Sequence, residues 1–248
     1  MQSQGKGKLY VVGTGPGSPD LLTLRAKKAL EDSDYIIGHQ RYVKLIEDIE
    51  TDAEIIMSKM GREVERVKLA FELSKENIVS LISGGDPGIY GMSGLVSEFL
   101  YEGEESEVEF VPGISAFSIA NGILGCPISN DFAVVSLSDL LLPWKEIKKR
   151  LECALLGDFV IAIYNPSSRK RRGRFDEAVE IINKYRDGCF VGIVKNASRE
   201  GEEHIICRCE ELERYSEFVD MSTVLIVGNS KTKFNGNEIM FTPRGYKI

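Results

Sequence analysis

The sequence predicts an α/β protein with a parallel N-terminal sheet and a mixed C-terminal sheet. Three observations carry this. Strand-like and helix-like segments alternate through the first half, the pattern of βαβ units. The strand-like runs are unbroken apolar stretches, as expected of strands buried on both faces. Past Val194 strand signals follow one another with little helix between, which calls for antiparallel members.

Leu9–Val12 reads as the first buried strand, and Gly13-Thr14-Gly15-Pro16-Gly17 as the loop after it. Ser18 as N-cap and Pro19 at the first helical position predict a helix from Leu21 to Leu30. Tyr35–Ile37 is the second strand, closing at Gly38. A helix over Val64–Leu73 precedes the strand Ile78–Ile82, which empties into Gly84-Gly85-Asp86-Pro87-Gly88-Ile89-Tyr90-Gly91. A helix over Ser93–Tyr101 and the strand Val108–Val111 follow, and Pro112–Ala116 opens another helix. In the second half, Phe132–Leu137, Phe159–Tyr164, Phe190–Val194, His204–Cys207, Val224–Val227 and Glu238–Phe241 read as strands. Trp144–Leu155 and Phe175–Tyr185 read as helices. Gly125, Cys126 and Pro127 punctuate the chain, so the expected domains are 1–124 and 125–248.

A net charge of −7, from 31 basic and 38 acidic residues, disfavours a nucleic-acid partner. One basic run stands out, Arg169-Lys170-Arg171-Arg172, with Arg174 close behind. No apolar stretch approaches the roughly 20 residues that span a membrane. The start, MQSQGKGKLYVV, has no signal-peptide pattern, so a cytoplasmic location without a membrane partner is expected. Cys126, Cys153, Cys189, Cys207 and Cys209 are scattered, and Cys207-Arg208-Cys209 lacks zinc-site spacing. They read as free thiols, and no protein metal site is expected.

The glycine loops raise the functional question. Gly13 and Gly15 begin a dinucleotide fingerprint, but its third position is Ser18, and the second strand ends in Gly38-His39 without an acidic residue. No phosphate-binding loop with a Gly-Lys-Ser/Thr ending exists. Asp86 at the tip of the second loop would repel a phosphate. Three loops, Gly13–Gly17, Gly84–Gly88 and Pro112–Ala116, follow strands of one parallel sheet, so all lie beyond its carboxyl edge, where such sheets bind ligands. Backbone groups plus one carboxylate suit a zwitterionic ligand with a cationic centre.

YVVGTGPGSPDLLTLRA, SGGDPGIYG and VPGISA, in this order and spacing, resemble the tetrapyrrole (corrin) methyltransferases. GHQRYVKLI, NDFAVVSLSDLLLPWKEIKKRL, YNPSSRKRR, IVKNASREGE, TVLIVGNSKT and FTPRGY resemble the branch that methylates C17 of precorrin-3B or its cobalt counterpart and promotes ring contraction. The resemblance runs through nearly the whole chain. It departs at Gly38-His39-Gln40-Arg41-Tyr42, where relatives read more like GYKTY. It implies a two-domain tetrapyrrole methylase fold with the ligand cleft between domains, S-adenosylmethionine as methyl donor, a tetrapyrrole substrate and a homodimer. With its end at Ile248, the chain is expected to lack the extra C-terminal domain of some relatives.

The same resemblance nominates residues. Pro16, Gly85, Asp86, Ile89, Ser115 and Ala116 would line the donor pocket, joined by Tyr164 or Asn165, and by Asn196 and Ala197. Arg41, Arg169 and Arg171 would grip substrate carboxylates, because guanidinium pairs with them bidentately. Acid–base work in ring contraction falls to His39, Asp131, Ser138, Ser136 or Asp139, with no choice among them. Any cobalt would arrive inside the macrocycle. Rival readings are methylation at C11 or C20, a non-catalytic S-adenosylmethionine-binding module, and a nucleic-acid methyltransferase, the last disfavoured by charge.

Overall fold

The first strand, β1 (Lys8–Gly13), lies between β4 (Ile78–Ser83) and β5 (Glu107–Val111) in a sheet whose order is β3-β2-β4-β1-β5. The computed structural model describes residues 7–168 and 172–247. Every pairing in this sheet is parallel: β2 (Tyr35–His39) pairs with β4, and β3 (Glu54–Ser58) with β2. Parallel neighbours need helical crossovers. These are α1 (Leu24–Glu31), the short α2 (Gln40–Val43), α3 (Glu63–Leu73) and α4 (Ser93–Tyr101). Two apolar layers result. Leu9, Val11, Val79 and Leu81 pack with Val67, Phe71 and Val96, while Val12, Ile36 and Ile82 pack with Ala26 and Leu30.

The chain divides into two units, Met1–Ser115 and Ala116–Ile248. The division falls before α5 (Ala116–Ile123), whereas the sequence punctuation lies after it. The reason is packing. Ala120 and Leu124 are fully buried with Val160, Val194 and Ile226 of the second unit, and a side chain at Gly192 would strike Leu124.

The second unit holds the sheet β6-β7-β10-β8-β9. β6 (Phe132–Ser136) runs parallel to β7 (Val160–Tyr164). β10 (Thr223–Val227) is antiparallel to both β7 and β8 (Phe190–Lys195), and β9 (Glu203–Arg208) is antiparallel to β8. This is the predicted mixed sheet. Helices α6 (Trp144–Leu156) and α7 (Arg172–Tyr185) pack on its other face through Ile147, Leu151, Phe175 and Ile182.

Three expectations change. The predicted helix from Leu21 is instead a 3₁₀ turn, Pro19–Leu21, after which Leu22 and Thr23 are extended. Ser18 makes no cap bond to the backbone there, and the side chain of Thr23 caps α1 by accepting from Ala26 N–H. β3 carried no sequence signal because it is an edge strand, with Ile55 and Met57 facing outward. The strand signal at Glu238–Phe241 does not join the mixed sheet. β12 (Met240–Phe241) forms a separate ribbon with β11 (Lys233–Phe234).

Candidate active site

At the carboxyl edge of the parallel sheet the three glycine loops meet backbone to backbone. Gly15 and Gly85 form an antiparallel bridge, with N–H to O distances of 3.2 and 2.8 Å in the two directions. Both need positive φ, 71° and 68°, which glycine adopts without strain. The third loop closes on the second. A Cβ at Gly113 would lie 2.2 Å from the carbonyl oxygen of Gly85, and one at Gly13 would lie 2.6 Å from the same oxygen. Thus no side chain at these positions stands between the loops.

Asp86 locks this arrangement. Its Oδ1 accepts from Gly88 N–H at 2.8 Å and its Oδ2 from Gly113 N–H at 3.1 Å. One carboxylate thereby shapes its own turn and ties the loop after β4 to the loop after β5. Ile89 N–H donates to the carbonyl of Asp86, and Ser93 N–H, at the start of α4, to that of Pro87. Tyr90, between them, has positive φ. Residues 13–17, 84–91 and 112–115 contain no lysine or arginine, so the edge offers backbone dipoles and a single anionic side chain. These loops thus contain no cationic side chain that could pair with a phosphate.

His39 ends β2 on the same edge. Its Nδ1 accepts from Arg41 N–H at 3.2 Å, so the ring caps α2. Its pKa is lowered from 6.5, first by burial and then by the charges of Arg66 and Arg41, against an opposing effect of Glu63. Neutral imidazole is therefore the form at pH 7. Arg66 drew no functional reading from the sequence. It is buried on α3 and donates to Ser58 Oγ at 2.7 Å, to the carbonyl of Lys59 at 3.0 Å and to Glu63 at 3.1 Å. An arginine on the apolar face of a helix was the available signal. Arg41 is exposed on α2. Tyr42 lies against the second loop: a Cβ at Gly84 would come within 2.4 Å of its ring.

In the second unit, β6, β7 and β8 point the same way and β10 opposes them. Ser138, Asn165, Asn196 and Ala197 consequently follow strand ends on one edge. The ends of β7 and β8 lie about 10 Å apart there, two strand spacings. Asn165 and Asn196 both have φ of 52°, and Ser198 has 58°. Such conformations in non-glycine residues concentrate at functional positions. Asn165 Nδ2 donates to Ser136 Oγ at 2.9 Å, and the same oxygen accepts from Ser138 N–H at 3.2 Å. Tyr164 Oη accepts from Phe117 N–H at 2.9 Å, near the start of α5. Asn196 Nδ2 donates to the carbonyl of Gly201 at 3.2 Å, and Ser198 N–H to Glu202 at 2.6 Å, so the loop after β8 is held from within.

The structure separates two of the nominated acid–base residues. Asp131 precedes β6 and is exposed, whereas Ser138 follows it. A five-residue strand between them puts the two at least about 15 Å apart, so they cannot serve one reacting atom. Asp139 is committed to an ion pair with Arg174 at 2.8 Å; Arg174 also pairs with Glu177 at 2.9 Å and lies over the Trp144 ring. Arg169 and Arg171 lie outside the described residues. Among the described residues no cluster of histidine, cysteine and carboxylate groups could hold a metal, and no helix is long and apolar enough to cross a membrane.

Residues 8–213 match the family model of the Tetrapyrrole (Corrin/Porphyrin) Methylases. The chain is 52% identical over 242 residues to the cobalamin biosynthesis protein CbiHC of Archaeoglobus fulgidus, covering 97% of this chain but 53% of that protein. It is 44% identical over 246 residues to a Methanocaldococcus jannaschii protein named "Probable cobalt-factor III C(17)-methyltransferase", covering 96% of this chain and 97% of that one. The crystal structure of the methyltransferase CobJ superposes with a TM-score of 0.90 at 30% identity, covering 96% of this chain and all of that one. The chain thus spans about half the length of the Archaeoglobus relative and nearly all of the other two. Edge loops built from backbone, the parallel and mixed sheets and this match over most of the sequence agree: the chain belongs to the tetrapyrrole (corrin/porphyrin) methylase family.

Proposed function

We propose that this protein is an S-adenosylmethionine-dependent C-methyltransferase that methylates C17 of cobalt-factor III or precorrin-3B in cobalamin biosynthesis, with contraction of the ring. The observation that carries the reading is the glycine edge of the first unit. Three loops are joined by the Gly15–Gly85 bridge and by Asp86, with no cationic side chain among them. The 44% identity to a protein named for C17 methylation supports the choice of carbon.

S-Adenosylmethionine supplies an already activated methyl group when bound. The chain's own task is then orientation and exclusion of water, since alignment of donor and acceptor accounts for much of such a barrier. Pro16, Gly85, Asp86, Ile89, Ser115 and Ala116 hold the donor in this reading, with Asn165, Asn196 and Ala197 as further contacts. Asp86 acts through the loops that it braces. Arg41, Arg169 and Arg171 meet substrate carboxylates. His39, neutral at pH 7 with Nδ1 accepting from Arg41 N–H, presents its Nε2–H as a donor and takes a further proton only by releasing Arg41, and Ser138 can donate its hydroxyl to a hydrogen bond. Free thiols fit a cytoplasmic setting. A homodimer is the expected assembly, checked by sedimentation.

The test is incubation with S-adenosylmethionine and cobalt-factor III or metal-free precorrin-3B in parallel. Mass spectrometry reads the added methyl and NMR its carbon. A product methylated at C17 from one of the two substrates is expected. A methyl at C11 or C20, or no turnover of either, overturns the assignment.

A further inference from the structure

The two most exposed consecutive hydrophobic residues of the second unit are Leu140, 76% exposed, and Leu141, 100% exposed. They sit in the loop that leaves the carboxyl end of β6, on the edge that also carries Asn165 and Asn196. Two leucines left largely in water are unfavourable unless something covers them. The loop does not lack means to hide them, because it is held on both sides. Before them, Ser138 N–H donates to Ser136 Oγ and Asp139 pairs with Arg174. After them, Leu142 packs on the core and Trp144 is buried at the start of α6, its indole N–H donating to Glu177 at 2.8 Å. Glu177 also binds Arg174, which lies 5.0 Å from the Trp144 ring centroid. This brace fixes the loop base and presents the pair outward.

The patch is small. Its sequence neighbours Asp139, Pro143, Lys145 and Glu146 are not large hydrophobics; the exposed Phe132 and Phe159 lie at the opposite strand ends and Leu156 ends α6, while Met221, ahead of β10, is an exposed hydrophobic on the same edge. Two leucine side chains fall far short of the roughly 1,000 Å² that a specific protein interface needs. Their size suits a flat organic ligand. From β6 to β8 the edge measures about 15 Å, three strand spacings, so one ligand face can reach from these leucines toward Asn196.

We infer that Leu140 and Leu141 form an apolar rest for one face of the tetrapyrrole macrocycle and help determine how it is seated. This rests on the proposed C-methyltransferase reading and deepens it. Carboxylates at the ring periphery are held by cationic groups, but the ring face has only dispersion and burial to hold it, which these side chains supply.

The test compares the full chain with a Leu140→Ser/Leu141→Ser variant and a Leu140→Met/Leu141→Met variant. The serine variant should raise KM for the tetrapyrrole at least tenfold and leave S-adenosylmethionine affinity unchanged; the methionine variant should stay within about twofold of the parent, since apolar volume is kept. Binding is read separately from turnover, by the shift of the tetrapyrrole's visible absorption band. A parent chain that binds the tetrapyrrole without methylating it refutes the function and leaves the leucine comparison intact. Equal tetrapyrrole affinity in parent and serine variant overturns the inference. So does a fall in sedimenting mass in that variant, which would assign the leucines to contact with a second copy.

Discussion

Asp86 occupies a glycine loop in which a carboxylate would be out of place beside a phosphate. Both of its oxygens are taken by backbone N–H groups, one in its own turn and one in the neighbouring loop. Charged acceptors bind more tightly than neutral ones, so an Asp86→Ala chain should lose about 1–3 kcal/mol of stability, read from the denaturant midpoint, and bind S-adenosylmethionine more weakly by calorimetry. Asp86→Asn keeps one acceptor and should fall between. Unchanged stability in the alanine variant would show that the loops hold without the carboxylate. His39 yields a second expectation. Its folded-state pKa lies below 6.5, chiefly because burial disfavours the charged ring. As pH falls, the unfolded chain takes the proton first. The stabilising contribution of His39 is therefore complete above about 6.5 and is lost as pH drops through that value to the folded one. An NMR titration of the His39 ring should show a midpoint below 6.5. A midpoint at or above that value would contradict the placement of the ring. The placement of Asp86 after one strand and of His39 at the end of another was legible in the sequence. Their hydrogen bonds were not, because Gly113 and Asp86 are 27 residues apart and meet only when β4, β1 and β5 align.

At the scale of elements, the strands were easy to read where both faces are covered and hard where they are not. β4 is an apolar run with five buried residues, whereas β3 leaves hydrophobics outward at a sheet edge and looks like loop. The 3₁₀ turn at Pro19–Leu21 mimics a helix start, but the helix itself waits for the cap of Thr23. Arg186 was invisible as a structural element because arginine reads as surface. It is buried where α7 hands over to β8, donating to the carbonyls of Leu155, Phe159 and Gly228 at 2.6 to 3.3 Å. Those carbonyls end α6, precede β7 and follow β10, on the edge opposite Asn165. Arg186→Met should thus cost about 3 kcal/mol by leaving buried carbonyls unpaired. KM for both substrates should stay near the parent's. Equal loss of stability and substrate affinity would mean that this brace reaches the candidate site.

For the molecule as a whole, alternation of apolar runs and helices was enough to predict a parallel sheet followed by a mixed one. The order of three glycine motifs was enough to suggest the family. These features are local, repeated and set by period and spacing, so a single sequence carries them. The division at Ser115 is different: α5 follows a first-unit loop in the chain, but Ala120 and Leu124 are buried against the second sheet. The same holds for Asp86 as a brace and for Leu140 and Leu141 left largely in water. By itself the sequence determined the strands, the glycine edge and the methyl-transfer reading. Only the tertiary structure decided which groups beyond the strand ends of each unit are already committed to the protein and which are displayed, because hydrogen-bond partners and burial depend on contacts between residues far apart in the chain.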